Sequence, residues 1–301
     1  MKISRRAFIK ATSILGGGIL LNGNKLLTAK AEEAWKLTNI RDNIWTFTEQ
    51  GGTIGILVDK DALIVVDAQF PNTAKDMLTE VKKKVDRKID ILFNTHHHAD
   101  HTKGNLYLKD YAEKIVAHEN CVRLQKTSYG NDEKNPQVYA DITFSKNWSA
   151  NVGKEQVFAY RYGNAHTGGD AVFHFVNSNV VHVGDLVFNG VYPWIGGLKD
   201  ESSLLTWAKY LEDIADKFSE DTIYIFGHGT AVTGNKKDLY VMRDYIVSLH
   251  DFTSKQIKAG KSLDEILKSE TFPGAENRKA MWKDALKANL NAAYEIITNE
   301  G

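Results

Sequence analysis

Residues 96–101 read His96-His97-His98-Ala99-Asp100-His101, four histidines and an aspartate within six consecutive positions. Imidazole nitrogens and carboxylate oxygens are the donors that divalent transition ions take from proteins. Alternate side chains of an extended segment share a side, so His96 and His98 can reach one ion while Asp100 and His101 turn toward a second. His97 then points the other way and is expected to line a cleft or support a neighbour, with a proton to donate, rather than bind an ion. A catalytic zinc takes three protein donors and keeps one position open, so this loop alone completes neither set. Three more donors follow strand-like runs: His166 within Ala165-His166-Thr167-Gly168, Asp185 after Val183-Gly184, and His228 within Gly227-His228-Gly229.

The elements that must position these residues alternate between two periodicities. Runs at 45–48, 53–58 and 62–67 are rich in β-branched and aromatic residues and are broken by Gly51-Gly52 and Asp59-Lys60-Asp61, as in a meander of hairpins. Residues 73–88 switch to helical spacing, with Met77, Leu78, Val81 and Val85 on one face and lysines on the other. An apolar strand at 89–94 leads directly into the histidine loop, the placement of catalytic loops at the C-terminal ends of strands in layered α/β folds. Further strands are expected at 156–162, 171–176, 180–183 and 222–226. Helices are expected at 201–218, 236–258, 262–269 and 276–298, with a break at Phe272-Pro273-Gly274.

Charge and composition narrow the partners. Residues 1–31 carry six basic residues and no acidic one, which leaves 32 basic against 38 acidic residues in the remainder, a net charge of −6. An acidic body has no general attraction to phosphate backbones, so no nucleic acid partner is expected. The same segment has Arg5-Arg6 followed by a short apolar run, Ala11 to Leu21, that is interrupted by Gly16-Gly17-Gly18. That run is too short and glycine-rich for a stable membrane span, and small residues around Thr28 to Ala31 suit a peptidase. Ser4-Arg5-Arg6-Ala7-Phe8-Ile9-Lys10 resembles a twin-arginine signal, which implies the twin-arginine export machinery as a partner, a signal peptide at 1–31 and a periplasmic or otherwise exported protein. The one cysteine, Cys121, can form no internal disulfide.

Taken in order, His-x-His-x-Asp-His at 96–101, His166, Gly184-Asp185 and Gly227-His228-Gly229 resemble the metallo-β-lactamase superfamily of metal-dependent hydrolases. The resemblance runs from Gly51-Gly52-Thr53 through Ile64-Val65-Val66-Asp67 to His228. It implies an α/β fold, a four-layer αββα sandwich over 32–301, with extra C-terminal helices from about 236. It also implies two divalent ions, zinc first and iron or manganese as alternatives. His96, His98 and His166 would hold the first ion, Asp100, His101 and His228 the second, and Asp185 would bridge them. Asp100 would in addition orient the nucleophile, a water that loses its proton between the ions near neutral pH. Asp67 is expected to accept a hydrogen bond from a ligand imidazole or to cap a turn.

The reaction expected from this resemblance is hydrolysis of an ester, thioester, lactone or amide bond in a small molecule. The runner-up is β-lactam hydrolysis. Against it, Asp185 stands where the best-known class B enzymes often have cysteine, and Phe188 stands where they have a lysine for the antibiotic carboxylate. A different class of reading is a metal-binding or redox-linked accessory protein that hydrolyses nothing. Phe188, Tyr192 and Trp194 are expected either to wall the cleft or to pack the 201–218 helix onto a sheet. His118, His174, His182 and His250 are expected to serve structure.

Overall fold

Alternation along the strands decides which side chains face which layer. The computed structural model describes residues 36–300 except 131 and 133, and the expected leader at 1–31 lies outside the described residues. The first sheet opens with a meander of β1 (Lys36–Arg41), β2 (Ile44–Thr48), β3 (Ile54–Asp59) and β4 (Ala62–Val66), each antiparallel to the next. It continues through α1 (Pro71–Lys82), β5 (Ile91–Asn94), α2 (Ala99–Thr102), α3 (Asn105–Leu108), β6 (Ile115–His118), α4 (Glu119–Tyr129) and β7 (Ile142–Phe144), with β4 to β7 parallel. These seven strands lie in sequence order.

The second sheet holds β8 (Asn147–Val152), β9 (Glu155–Tyr160), β10 (Val172–Phe175), β11 (Val180–Asn189), β12 (Ile223–Gly229) and β13 (Thr233–Gly234), ordered β13-β12-β11-β10-β9-β8. A 3-10 turn at Gly197–Asp200 and α5 (Leu204–Lys217) cross from β11 to its parallel neighbour β12. Beyond it come α6 (Lys236–Lys258), α7 (Leu263–Ile266) and α8 (Ala285–Glu300).

Three apolar clusters separate four layers. Ile54, Ile56, Leu63, Val65 and Leu92 face Ala74, Met77, Leu78 and Val81 of α1. Their neighbours Leu57, Ile64, Val66, Ile91 and Phe93 point the opposite way, onto Val157, Phe173, Phe175, Val180 and Ile225 of the second sheet. On that sheet Val181, Val183, Tyr224 and Phe226 turn outward to Trp207, Leu211, Met242, Ile246, Leu290 and Ile296. The period of two sends successive residues to different clusters, so a one-residue slip of a central strand would exchange both of its packed faces. Phe93 and Phe173 meet at the middle, ring centroids 4.4 Å apart, and each fully buried large side chain there contributes on the order of 1.5–3 kcal/mol.

The two sheets are tied by polar contacts at one edge. Thr53 donates through N and Oγ1 to Gly227 O (2.9 and 3.1 Å), and Ala171 N donates to Thr95 O (2.9 Å). His182 accepts from Gly184 N at Nδ1 (3.2 Å) and therefore donates from Nε2 to Thr53 O (3.0 Å). It is a structural crosspiece, as the sequence suggests. His118 likewise accepts from Asn120 N at the start of α4 and contacts Ser145 O.

Some boundaries differ from expectation, each for a local reason. The 73–88 helix stops at Lys82, although Val85 still packs beneath it from the following turn. The strand expected to end at 183 runs to Asn189, because Gly184 adopts φ +53° and absorbs an irregularity without ending the pairing with β12. The last helix begins at Ala285 rather than 276, since Lys279 is engaged in a bridge with Val191. Among the described residues no helix is long and apolar enough to cross a membrane.

Candidate metal centre

All seven donors expected from sequence converge at the edge where the sheets are tied. Their order in space follows from strand ends. His96 and His98 leave β5, and His98 caps α2, whose first turn carries Asp100 and His101. The loop backbone is pinned by Gly52 N donating to Asp100 O (3.1 Å) and Ala68 N donating to His101 O (2.8 Å). His166 sits in a turn before β10, Asp185 within β11 and His228 within β12. Two glycines make room for this convergence: a Cβ at Gly52 would collide with the His101 ring, and one at Gly227 with Asp185 Oδ1.

Asp185 lies between two donor groups. On one side His166 Nε2 is 3.1 Å from His98 Nδ1, and Asp185 Oδ2 is 3.5 Å from His166 Nε2 and 3.7 Å from His96 Nε2. On the other side His228 Nε2 is 3.2 Å from Asp100 Oδ2 and 3.4 Å from His101 Nε2. Asp185 reaches this group as well, with Oδ1 at 3.1 Å from His101 and Oδ2 at 3.5 Å from His228. The groups His96, His98, His166, Asp185 and Asp100, His101, His228 each place one donor atom per residue within 4.8 Å of all the others.

These spacings can be compared with an ion. Neighbouring donors on a tetrahedral ion with bonds of about 2.1 Å lie about 3.4 Å apart. The seven distances above scatter about that value. His96 Nε2 is buried without a hydrogen-bond partner, a costly state for an imidazole nitrogen that a bound cation would relieve. Donor chemistry, spacing and this orphaned atom all fit divalent ions. His98 and Asp100, each 6% exposed, are the most accessible of the seven, so the mouth lies on their side.

Further carboxylates hold the ligands from behind. Asp67, fully buried, accepts from Thr95 N (2.8 Å) and Thr95 Oγ1 (2.8 Å), and its Oδ2 pairs with His101 Nδ1 (2.7 Å), which turns His101 Nε2 toward the centre. Of the two sequence expectations for Asp67, the contact to an imidazole is the one present. Asp170 accepts from Thr167 N and Oγ1 (both 2.7 Å) and shapes the turn that carries His166. Asp200, which sequence reading did not single out, sits in the 3-10 turn with Oδ2 at 3.0 Å from His98 Nε2 and Oδ1 at 3.4 Å from His97 Nε2. His97 is fully buried and faces this carboxylate, so it supports the centre from inside rather than lining an open cleft.

The electrostatics divide the histidines. Burial, then His101 and His98, hold His96 well below the ordinary imidazole value, and burial brings His166 down to about 3. Burial also disfavours the cation of His101, yet Asp185, Asp67 and Asp100 together raise it well above the ordinary value. His228 is raised against burial by Asp185 and Asp100. Burial pushes Asp100 up, but His101 and His228 outweigh it and bring the carboxyl down to about 2. Without metal, the charged imidazole is favoured at His101 and His228 and disfavoured at His96 and His166.

The aromatic residues after Asp185 separate into two groups. Phe188 is fully buried, stacked on His228 (centroids 5.3 Å, planes 16° apart) and 5.7 Å from His166, so it braces both donor groups. Tyr192 Oη donates to Ala275 O (3.1 Å), and Trp194 lies 5.8 Å from Trp282. These contacts reach the C-terminal segment, and both side chains also pack against the apolar cluster that contains Leu204, Trp207 and Leu211 of the 201–218 helix. Arg278, stacked 4.1 Å over Tyr245, donates to Phe188 O (3.1 Å) and Val191 O (2.7 Å) and fastens that segment to the wall of the centre.

A sequence profile described as the metallo-beta-lactamase superfamily matches residues 48–228, more than half of the chain and the span that contains all seven donors. The chain belongs to the metallo-beta-lactamase superfamily. Superfamily members are metal-dependent hydrolases, and the His/Asp groups described above place this one among them. A "Metallo-beta-lactamase type 2" from Elizabethkingia meningoseptica is 25% identical over 202 residues, which cover 64% of this chain and 78% of that protein. Among solved structures, a metallo-beta-lactamase from Pontibacter korlensis superposes with a TM-score of 0.57 at 19% identity, over 70% of this chain and 99% of its own. A double mutant of the sec-alkyl sulfatase PisA1 superposes with a TM-score of 0.67 at 15% identity over 86% of this chain, a share that has to include helices after residue 236. This chain spans about half of that sulfatase, 49%. At such identities the two structural likenesses speak for the superfamily's fold alone.

Proposed function

We propose that this superfamily member is an exported hydrolase that uses two divalent ions, zinc foremost, to cleave an ester, thioester, lactone or amide bond of a small molecule. The observation that supports it most is Asp185, whose two carboxylate oxygens face the two donor groups at 3.1–3.7 Å. His96, His98 and His166 would hold one ion, and Asp100, His101 and His228 the other, with Asp185 shared. Ions held there supply Lewis acidity for the scissile carbonyl and bring the pKa of a bound water to about 7.

The chain's own residues have separate tasks. Asp100, at the accessible side of the centre and drawn down to about 2, stays a carboxylate at any physiological pH and can orient a water by accepting its proton in a hydrogen bond. Phe188 excludes water behind His166 and His228, which strengthens every charge interaction in front of it. Phe188 also argues for ester-like substrates over β-lactams, because the position supplies no cation for a substrate carboxylate and its own ring is buried behind the ligands. β-Lactam hydrolysis remains the second reading, favoured by the Elizabethkingia relative. Export rests on the Arg5-Arg6 leader, and replacing both arginines by lysine should leave the protein in the cytoplasm with its leader uncleaved.

The test combines metal analysis with a substrate panel. Purified protein is expected to hold close to two equivalents of transition metal and to turn over a chromogenic ester or thioester. His98→Ala and Asp185→Asn should each abolish that turnover. A folded protein that takes up no metal, or unchanged rates in both variants, refutes the reading. Turnover of a carbapenem with no turnover of esters transfers it to the second reading.

A further inference from the structure

We propose that Gln69 is the latch of the Gly51-Gly52 hairpin, a positioning residue that holds this backbone against Asp100 and His101 through the carbonyl of Gly52. Its consequence for metal rests on the two-ion reading, and the latch itself rests on hydrogen bonds. Gln69 follows β4 and is fully buried, an uncommon place for an amide. Its Nε2 donates to Gly52 O (2.7 Å), and its own carbonyl accepts from Gly104 N (2.8 Å), just past α2. Gly52 N in turn donates to Asp100 O (3.1 Å) in the first turn of that helix. The three bonds close a ring from Gln69 to the hairpin, to α2 and back. Without the first of them, the hairpin tip is left with the long Gly52 N–H bond to α2.

The two glycines show how closely this backbone lies on the second donor group. Gly51, at φ +91°, approaches Asp100 so nearly that a Cβ would stand 2.8 Å from its carbonyl oxygen and 2.9 Å from its Cβ. A Cβ on Gly52 would enter the His101 ring. Close approach thus requires glycine twice in a row, the sequence with the greatest backbone freedom and no side chain to anchor the tip. The anchor has to come from outside the hairpin, and Gln69 supplies it.

Gln69 is held in this role at a cost. It adopts φ +50°, a left-handed conformation that disfavours a residue with a Cβ, and its Oε1 is buried with no hydrogen-bond partner among the described residues. A leucine of similar size would fill the same space without the unsatisfied oxygen, so only the N–H accounts for an amide here. Strained residues of this kind persist where the surrounding structure holds a site in place. An ion held by Asp100, His101 and His228 has the latched hairpin along one side. Unlatching should therefore speed its exit more than that of an ion held by His96, His98 and His166.

The experiment compares wild type with Gln69→Leu, which keeps the bulk and removes the N–H. In metal-free protein, the Gly52 amide is expected to exchange its hydrogen about 5–100-fold faster in Gln69→Leu. The amides of Thr53, bonded to Gly227 O, and of Ala171, bonded to Thr95 O, should stay within about threefold of wild type. After loading with two equivalents of zinc, one ion should leave to a chelator about 10-fold faster than in wild type, with the other nearly unchanged. Unchanged exchange at Gly52 overturns the latch, whatever happens to the metal. Equal acceleration at Gly52, Thr53 and Ala171 also overturns it, because the substitution then loosens the whole fold. Faster exchange at Gly52 with unchanged release of both ions overturns the role of Gln69 at the second donor group. Wild type that binds no zinc strikes the two-ion reading, and the exchange result still decides the latch. If Gln69→Leu does not fold, wild type decides: a Gly52 amide that exchanges like an unbonded loop amide refutes the latch, and protection comparable with Thr53 supports it.

Discussion

Asp67→Asn separates charge and tautomer from backbone geometry. Asp67 has φ +67°, a left-handed conformation that asparagine adopts as readily as aspartate and alanine does not, so the amide adds no strain. In the native protein Asp67 accepts three hydrogen bonds, two from Thr95 and one from His101 Nδ1. Thr95 N can only donate, so the amide oxygen has to stay on its side and the amide N–H takes the place of Oδ2. Thr95 Oγ1 can rotate and accept from it. His101 Nδ1 can accept only by giving up its proton, which moves to Nε2, the nitrogen that faces Asp100, Asp185 and His228. Turning the amide over transfers the conflict to Thr95 N, a buried donor whose loss costs about 1–3 kcal/mol.

The ion held by His101 should therefore bind about 10–100-fold more weakly, or about 1.4–2.7 kcal/mol, and the ion held by His96 nearly as before. Competition against a chromogenic zinc chelator measures both steps, and metal analysis after dialysis should give about one equivalent instead of two. Two unchanged steps would falsify the claim that Asp67 sets the His101 tautomer. Equal weakening of both steps would mean that the substitution acts through the fold.

Gly227→Ala drives a methyl group into Asp185 Oδ1; it should cost about 1–3 kcal/mol in urea unfolding and abolish metal retention, and retention of two ions would contradict the close packing described. Arg278→Met leaves the carbonyls of Phe188 and Val191 without their buried donor and should lower stability by about 2–4 kcal/mol, whereas a change below about 0.5 kcal/mol would show the tether to be idle. His174 is brought down to about 4, first by burial and then by Lys217, so the native state keeps it neutral. Its contribution to stability is present in full above pH 6.5 and is lost as pH falls toward 4, because the unfolded chain binds the proton first. The stability difference between wild type and His174→Phe should follow that window, and a pH-independent difference would dismiss it.

Chemistry was more legible in the sequence than support. The seven donors are scarce residue types at the ends of apolar runs, and their order alone brought them together. Asp200 carries no such mark: it follows Gly196-Gly197-Leu198-Lys199 in a loop and acquires its role only when the turn folds beneath His98. The sequence marks Tyr192 and Trp194 as either cleft-wall or packing residues, and their contacts Ala275 and Trp282 lie more than 80 positions away, beyond the reach of a periodicity. Gly184 reads as a strand end, and only the pairing with β12 reveals that the strand passes through it. Local patterns fix what depends on neighbours in the chain, and long-range hydrogen bonds fix the remainder.

The supporting carboxylates also set a charge balance. Asp67, Asp100, Asp170, Asp185 and Asp200 bury five carboxyl groups, none more than 6% exposed, and burial pushes Asp170 up to about 7. Two divalent ions held there, as proposed, would offset most of that buried negative charge. Without the ions, the neighbouring carboxylates favour the charged imidazole at His101 and His228, and any such proton has to leave before the ring can bind a metal. Loading would then be an exchange of protons for metal, with affinity rising with pH and acid releasing the ions by protonating their donors.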